Sequence, residues 1–150
     1  MDKKIQVIQG PNLNLLGARE PEIYGNQTLK DINNQCKNLA EKLNFQIDFF
    51  QSNAENEIID CIQNCNNQVD FIIINPAAFT HTSIAIRDAL VATSIPFIEV
   101  HLSNIFNREE FRRRSYLSDR AVAVVTGMGS YGYICAINYL KIFFEKTNSK

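Results

Sequence analysis

At 150 residues the chain has the length of one domain with a core of its own. Charged residues make up 21% and hydrophobic ones 45%, and a net charge of -1 supplies no basic field to draw in nucleic acid or an anionic membrane surface. Neither is expected as a partner. The opening MDKKIQVIQGPN sets basic residues before an apolar run, but Gln6 interrupts the run and Gln9-Gly10-Pro11 ends it, too short for a signal peptide. No run approaches membrane-spanning length, so a cytoplasmic protein is expected. Of the four cysteines, Cys61 and Cys65 lie one helical turn apart, without a His or second Cys pair at zinc-site spacing. All four read as reduced, small apolar side chains, with no metal or disulfide expected.

Lys4 to Gln9 is a short β-branched run stopped by Gly-Pro, the first strand. Gly10 to Gly25, GPNLNLLGAREPEIYG, follows as a connection too long for an ordinary turn. Its leucines can dock on a surface, while Gly10, Gly17 and Gly25 supply hinges and Pro11 and Pro21 stiffen the path. Its composition argues against disorder and leaves a lid or a binding loop. Thr28 with Asp31 forms a capping box for a helix whose apolar face is Leu29, Ile32, Cys36, Leu39, Ala40 and Leu43. Phe45 to Gln51 alternates as a second strand, and Ser52 with Glu55 opens a second helix through Cys65.

Val69 to Ile74 is almost wholly apolar, as a strand buried on both faces of a parallel sheet must be. Asn75-Pro76 ends it, and Thr82 or Ser83 caps a helix carrying Ile84, Ile86, Ala89 and Leu90. Pro96 to His101 is a fourth strand, and Asn107 with Glu110 caps a short helix through about Arg114. Ala121 to Thr126 is a fifth strand. Gly127-Met128-Gly129 turns the chain into a last helix with Ile134, Ile137, Leu140 and Phe144, before a frayed tail KTNSK. Strands alternating with helices imply an α/β fold: a flavodoxin-like, doubly wound, five-stranded parallel sheet in a single domain over residues 1–150. Ligands of such sheets bind beyond the carboxyl ends of the strands, where the strand order reverses.

Both histidines, His81 and His101, fall in segments that follow those strand ends. Glu99 precedes His101 by two and shares its face of the strand, and a carboxylate beside an imidazole favours the protonated ring of a general acid. In the long loop, Arg19 lies five residues before Tyr24; a guanidinium held near a phenol favours the phenolate, a base. A packed Tyr24 with a solvated Arg19 is the alternative. Asn12 and Asn75 offer amides to a polar substrate or a developing oxyanion, and each also suits a turn. Arg112, within the cluster Arg108, Arg112, Arg113 and Arg114, can hold an anion, and Ser103 with its backbone N–H groups can receive a carboxylate. Asp88 reads as a solvated helical carboxylate.

No strand is followed by GxGxxG or GxxxxGK[ST], and no Ser or Cys has an evident base partner. What remains suits proton abstraction from carbon and loss of a protonated leaving group, without a cofactor. A flavodoxin-like small-ligand binding or signalling module is the competing reading, as is another cofactor-independent lyase or isomerase.

The motifs GPNLNLLGAREPEIYG from Gly10, NPAAFTHTSIAIRDAL from Asn75, IEVHLSN from Ile98 and REEFRRRSYLS from Arg108 together resemble the type II 3-dehydroquinate dehydratases, over essentially the whole chain. The resemblance implies a cofactor-free anti elimination of water from 3-dehydroquinate to 3-dehydroshikimate through an enolate. That reaction serves the shikimate pathway or quinate degradation. It implies Tyr24 as the base for the C2 proton, kept ionised by Arg19, and His101 as the acid for the C1 hydroxyl, oriented by Glu99. Asn12 would place a water at the enolate. Asn75, His81 and Arg112 would hold ring oxygens, and Leu102 and Ser103 the carboxylate. It further implies a dodecamer built from trimers, in which Asp88 reaches a neighbouring subunit's site. Phe79, Phe106 and Arg113-Arg114 depart from residues frequent in the family, which puts pocket polarity near Phe106 in question.

Overall fold

The computed structural model describes residues 2–18, 20–24 and 26–149, without the side chains of Ile23 and Tyr24. Its strands are β1 (Lys3–Gln9), β2 (Phe45–Gln51), β3 (Phe71–Asn75), β4 (Phe97–His101) and β5 (Ala123–Thr126). The α-helices are α1 (Pro21–Tyr24), α2 (Leu29–Lys42), α3 (Glu55–Asn64), α4 (Ile84–Thr93) and α5 (Tyr131–Asn148). All strand pairs are parallel, in the order β2-β1-β3-β4-β5, so the order reverses between β1 and β3. This is the expected doubly wound sheet.

Alternation along the strands sends successive side chains to opposite faces. Phe71 and Ile73 of β3, with Ile5 and Val7 of β1, pack on Ile32, Cys36, Ile137 and Leu140 of α2 and α5. Ile72 and Ile74, with Ile8 and Phe97, pack on Ile58, Ile62, Ile86 and Leu90 of α3 and α4. Strands β3 and β4 are buried throughout, whereas edge strand β2 alternates half-buried with exposed over its first four residues. Burial pushes the Cys36 thiol up to about 12, in keeping with a packed, protonated side chain.

Local departures from the sequence reading have physical causes. The Thr28–Asp31 capping box forms, and Ser83 rather than Thr82 caps α4. Ser52 does not cap α3: its N–H extends the β1–β2 ladder to Gln9 C=O, its Oγ accepts from Ala54 N–H, and it donates to Glu57 rather than meeting Glu55. The helix therefore starts at Glu55, after Ala54. Asp70 is held by Lys4 through backbone and side chain, which delays β3 to Phe71. No helix spans 107–114. Asn104 caps a 3-10 turn at Ile105–Asn107 and a second turn occupies Glu110–Arg112, separated where clustered guanidiniums would crowd a continuous helix. The first three residues of the tail KTNSK belong to α5, which continues to Asn148.

The long connection is not structureless. Leu13–Leu15 forms a 3-10 turn with Leu13 and Leu16 buried, and α1 follows. A Cβ at Gly10 would stand 2.3 Å from Pro76 O, so this residue lets the end of β1 cross the β3 loop at backbone contact. Among the described residues no helix is long and apolar enough to cross a membrane.

Candidate active site

A cavity of about 220 Å³ opens at the carboxyl ends of β1, β3 and β4, at the reversal in strand order. The segment after β1 contributes Pro11, Asn12, Leu13 and Leu16, and the end of β3 contributes Asn75, Ala77, Ala78 and His81. From β4 and beyond come His101, Leu102, Ser103, Ile105, Arg108 and Arg112. Seven of the eleven residues expected at the site thus meet here: Asn12, Asn75, His81, His101, Leu102, Ser103 and Arg112. Glu99 lies directly behind them. Asp88 does not join them; it stands exposed on α4 beside Arg87, which is paired with Asp119. Arg19 and the Tyr24 side chain lie outside the described residues.

His101 ends β4 and is 4% exposed, and its Nε2 is 2.5 Å from Oε2 of Glu99, which is wholly buried. Period-two geometry on β4 accounts for the pairing. Burial opposes ionisation of Glu99. Its bond to His101, the charge of that ring, and the hydroxyls of Ser118 and Thr80 outweigh burial and hold the carboxyl below its ordinary value.

The second histidine is set differently. His81 Nδ1 lies 2.7 Å from Arg114 C=O, an oxygen that can only accept, so Nδ1 carries the hydrogen and Nε2 is the acceptor of the neutral ring. Burial, and the neighbouring His101 and Arg112, lower its pKa against the raising effects of the Arg114 bond and Glu99. The two imidazoles stack with centroids 6.4 Å apart and planes within 18°. One ring is backed by a carboxylate and the other by a carbonyl, which suits an acid beside a hydrogen-bond acceptor.

Asn75 is locked at both ends of its amide. Nδ2 donates to Tyr133 OH at 3.0 Å, and Oδ1 accepts from Ala77 N–H at 3.1 Å. The second Nδ2 hydrogen is left for a ligand. Ala77 takes φ 51 and Asn12 φ 69, left-handed backbone at two non-glycine positions on the cavity rim. The Asn75 bond secures the first, and the bond from Asn12 N–H to Asn53 Oδ1 the second.

At the β4 end, the Gly127–Gly129 turn donates N–H groups to His101 and Leu102 C=O, and Thr126 Oγ1 donates to Ser103 C=O. The turn works as a buttress. Arg108 donates to Ser103 Oγ at 3.3 Å, and Arg112 is ion-paired with Glu109. Both guanidiniums line the cavity, where the sequence favoured Arg112 alone; Arg113 and Arg114 are exposed. Phe106 is 55% exposed and Phe79 packs beside the α3–α4 core, so neither departure lines the cavity.

Sequence reasoning missed Thr80, Ser115, Ser118 and Tyr133, and ranked Arg108 behind Arg112. All but Tyr133 sit inside motifs already singled out, but no spacing reports which hydroxyls of a loop fold back onto a buried carboxylate.

Comparison with known proteins finds relatives over nearly the whole chain. A family model described as dehydroquinase class II matches residues 3–141. A 3-dehydroquinate dehydratase of Nitrosomonas eutropha is 57% identical over 140 residues, 93% of this chain and 97% of that protein. A catabolic 3-dehydroquinase of Talaromyces marneffei is 55% identical over 145 residues, 95% of this chain and 83% of that protein. The crystal structure of a type II dehydroquinase from Butyrivibrio crossotus superposes with a TM-score of 0.91 at 46% identity, covering 93% of this chain and 97% of that one.

Proposed function

The chain belongs to the dehydroquinase class II family, and on that premise we propose that its cavity eliminates water from 3-dehydroquinate to give 3-dehydroshikimate, without a cofactor. The observation that carries this reading is the 2.5 Å contact of His101 with wholly buried Glu99 at the mouth of the sheet. An acid so backed, beside amides, a neutral imidazole and two guanidiniums, suits a hydroxylated cyclic carboxylate that must lose a hydroxyl.

In the proposed sequence, the Tyr24 phenolate, kept ionised by Arg19, removes the C2 proton, and the electron pair moves onto the C3 carbonyl as an enolate. Asn12 holds a water against that oxygen. The enolate then re-forms the ketone and expels the C1 hydroxyl from the opposite face, an anti elimination, as His101 donates the proton that makes the leaving group water. Because Glu99 engages Nε2, the ring nitrogen left to donate is Nδ1. The Leu102 and Ser103 backbone N–H groups and the Ser103 hydroxyl receive the substrate carboxylate, with Arg108 behind that hydroxyl. Asn75 gives its free N–H, His81 accepts at Nε2 from a ring hydroxyl, and Arg112 closes the side.

The segment 17–25 acts as a lid that brings Arg19 and Tyr24 over the ring, in what we read as a single catalytic domain. The chain works as a dodecamer built from trimers in the cytoplasm, with Asp88 contributed to a neighbouring site; its exposure away from its own cavity supports that placement. Relatives named for the catabolic and for the general dehydratase activity match at similar identity, so both pathway directions are compatible with the chain. The test is addition of 3-dehydroquinate to purified protein while the ultraviolet absorbance of the conjugated enone is followed. Growth of the enone band is expected; a trace no different from a no-enzyme control would overturn the assignment.

A further inference from the structure

We infer that Ser118, Ser115 and Thr80 are positioning residues for the dehydration, forming a hydroxyl cradle that holds Glu99 as an oriented anion behind the acid His101. The inference rests on the proposed reaction and adds to it three residues that touch neither substrate nor the reacting ring.

An ionised carboxylate has about four lone-pair sites and no donor. Glu99 Oε2 receives His101 Nε2 at 2.5 Å and Thr80 Oγ1 at 2.7 Å, and Oε1 receives Ser118 Oγ at 2.7 Å. Ser115 Oγ lies 3.0 Å from both oxygens. Three donors and the Ser115 hydroxyl, which is shared with Thr80, therefore meet four sites. The direction of each hydroxyl follows from counting. Ser115 Oγ already accepts from Leu117 N–H and Ser118 N–H, so its lone pairs are taken and it can only donate, to Glu99 or to Thr80 at 2.9 Å. Thr80 consequently turns its own hydrogen to Glu99. A protonated Glu99 would present a hydrogen to four partners that are themselves donating, and one of them would have to give up its bond.

Two of the three hydroxyls are delivered by one strap, and Thr80 comes from the turn after β3. Residues 114–118 follow the arginine-rich turn and cross the ends of β3 and β4. Arg114 C=O fixes His81, Tyr116 N–H donates to Thr80 C=O, and Ser115 and Ser118 reach Glu99. The strap is pinned outside by Arg87, which donates to Tyr116 C=O and pairs with Asp119. Besides His101, the titratable and charged groups facing Glu99 are few. His81 stacks on His101 rather than on Glu99, Arg112 and Arg108 line the cavity, which Glu99 does not, and on α4 Arg87 is already paired with Asp119 and Asp88 is exposed. None replaces a hydroxyl as donor to the carboxylate.

Ser118→Ala is the cleanest perturbation, because the Ser118 hydroxyl bonds to Glu99 while the Ser115 hydroxyl also caps two backbone N–H groups. With one donor to a buried anion removed, kcat should fall about tenfold with KM unchanged. The acidic limb of the kcat profile should move to higher pH, and Ser118→Thr should restore both. Thr80→Val, which removes a different donor at nearly constant volume, should repeat the effect. An unmoved acidic limb in both Ser118→Ala and Thr80→Val would overturn the inference. A ¹³C NMR titration of the Glu99 carboxyl provides a second readout that needs no turnover: it should protonate at higher pH in Ser118→Ala than in wild type. An unchanged Glu99 titration would likewise refute the cradle. A wild-type protein that leaves 3-dehydroquinate unchanged, yet shows this shift, would overturn the proposed reaction while leaving the cradle standing.

Discussion

Replacing Glu99 by Gln removes one charge and almost no volume, at a site with no solvent to make up the loss. The wild-type carboxylate is wholly buried and touches a ring that is 4% exposed, so the charge acts on His101 with little screening. A hydrogen bond to a charged group contributes about 1.5–3 kcal/mol, and breaking a buried ion pair costs about 3–5 kcal/mol. Taking about 3–4 kcal/mol as the loss when the imidazolium forms without its counter-charge, kcat should fall roughly 10²–10³-fold. KM should change little, since Glu99 does not line the cavity. Initial rates of enone formation at saturating substrate measure the first quantity. Stability supplies a second signature. The folded carboxyl titrates below its ordinary 4.5, so Glu99 stabilises the fold above about that pH, and the contribution is lost as pH falls through the lower, folded value. Melting temperature should therefore drop less on acidification through this window in Glu99→Gln than in wild type. A folded Glu99→Gln protein with wild-type kcat would refute the reasoning that this carboxylate supports the acid.

Tyr24→Phe should retain the fold, read by circular dichroism, and lose nearly all turnover; near-normal kcat would remove Tyr24 as the base. Gly10→Ala should destabilise by about 3 kcal/mol, because the new methyl carbon meets backbone at 2.3 Å and no side chain can yield; denaturant melts check this, and an unchanged midpoint would contradict the close approach. Limited proteolysis should nick the segment 17–25 and be suppressed by substrate, whereas equal cleavage with and without ligand would argue against a closing lid.

Much of the fold was legible because periodicity reports burial. Phe71-Ile72-Ile73-Ile74 has no polar face, as a strand buried on both faces requires, and the Thr28–Asp31 box marks the start of α2 without tertiary help. The errors lie where a side chain had two competing partners. Ser52 follows β2 so closely that the sheet claims its backbone before the helix can use its hydroxyl. Asn104, not Asn107, meets a free N–H three residues before the expected helix. Within the site, His81, His101 and Glu99 could be placed because strand ends and period-two spacing fix them. Tyr133 could not: on α5 it reads as one more apolar position, and its hydroxyl reaches Asn75 58 residues away. Ser115 and Ser118 were equally hidden, since only the closed strap brings them to Glu99.

The central claim is that His101, held by Glu99, is the acid, distinct from the base that takes the C2 proton. It is tested most directly by His101→Ala with 3-dehydroquinate in deuterium oxide, with NMR following solvent exchange at C2 and loss of the C1 hydroxyl in the same sample. Continued exchange with dehydration abolished is the result this account predicts. Loss of exchange as complete as in Tyr24→Phe would contradict the division of roles.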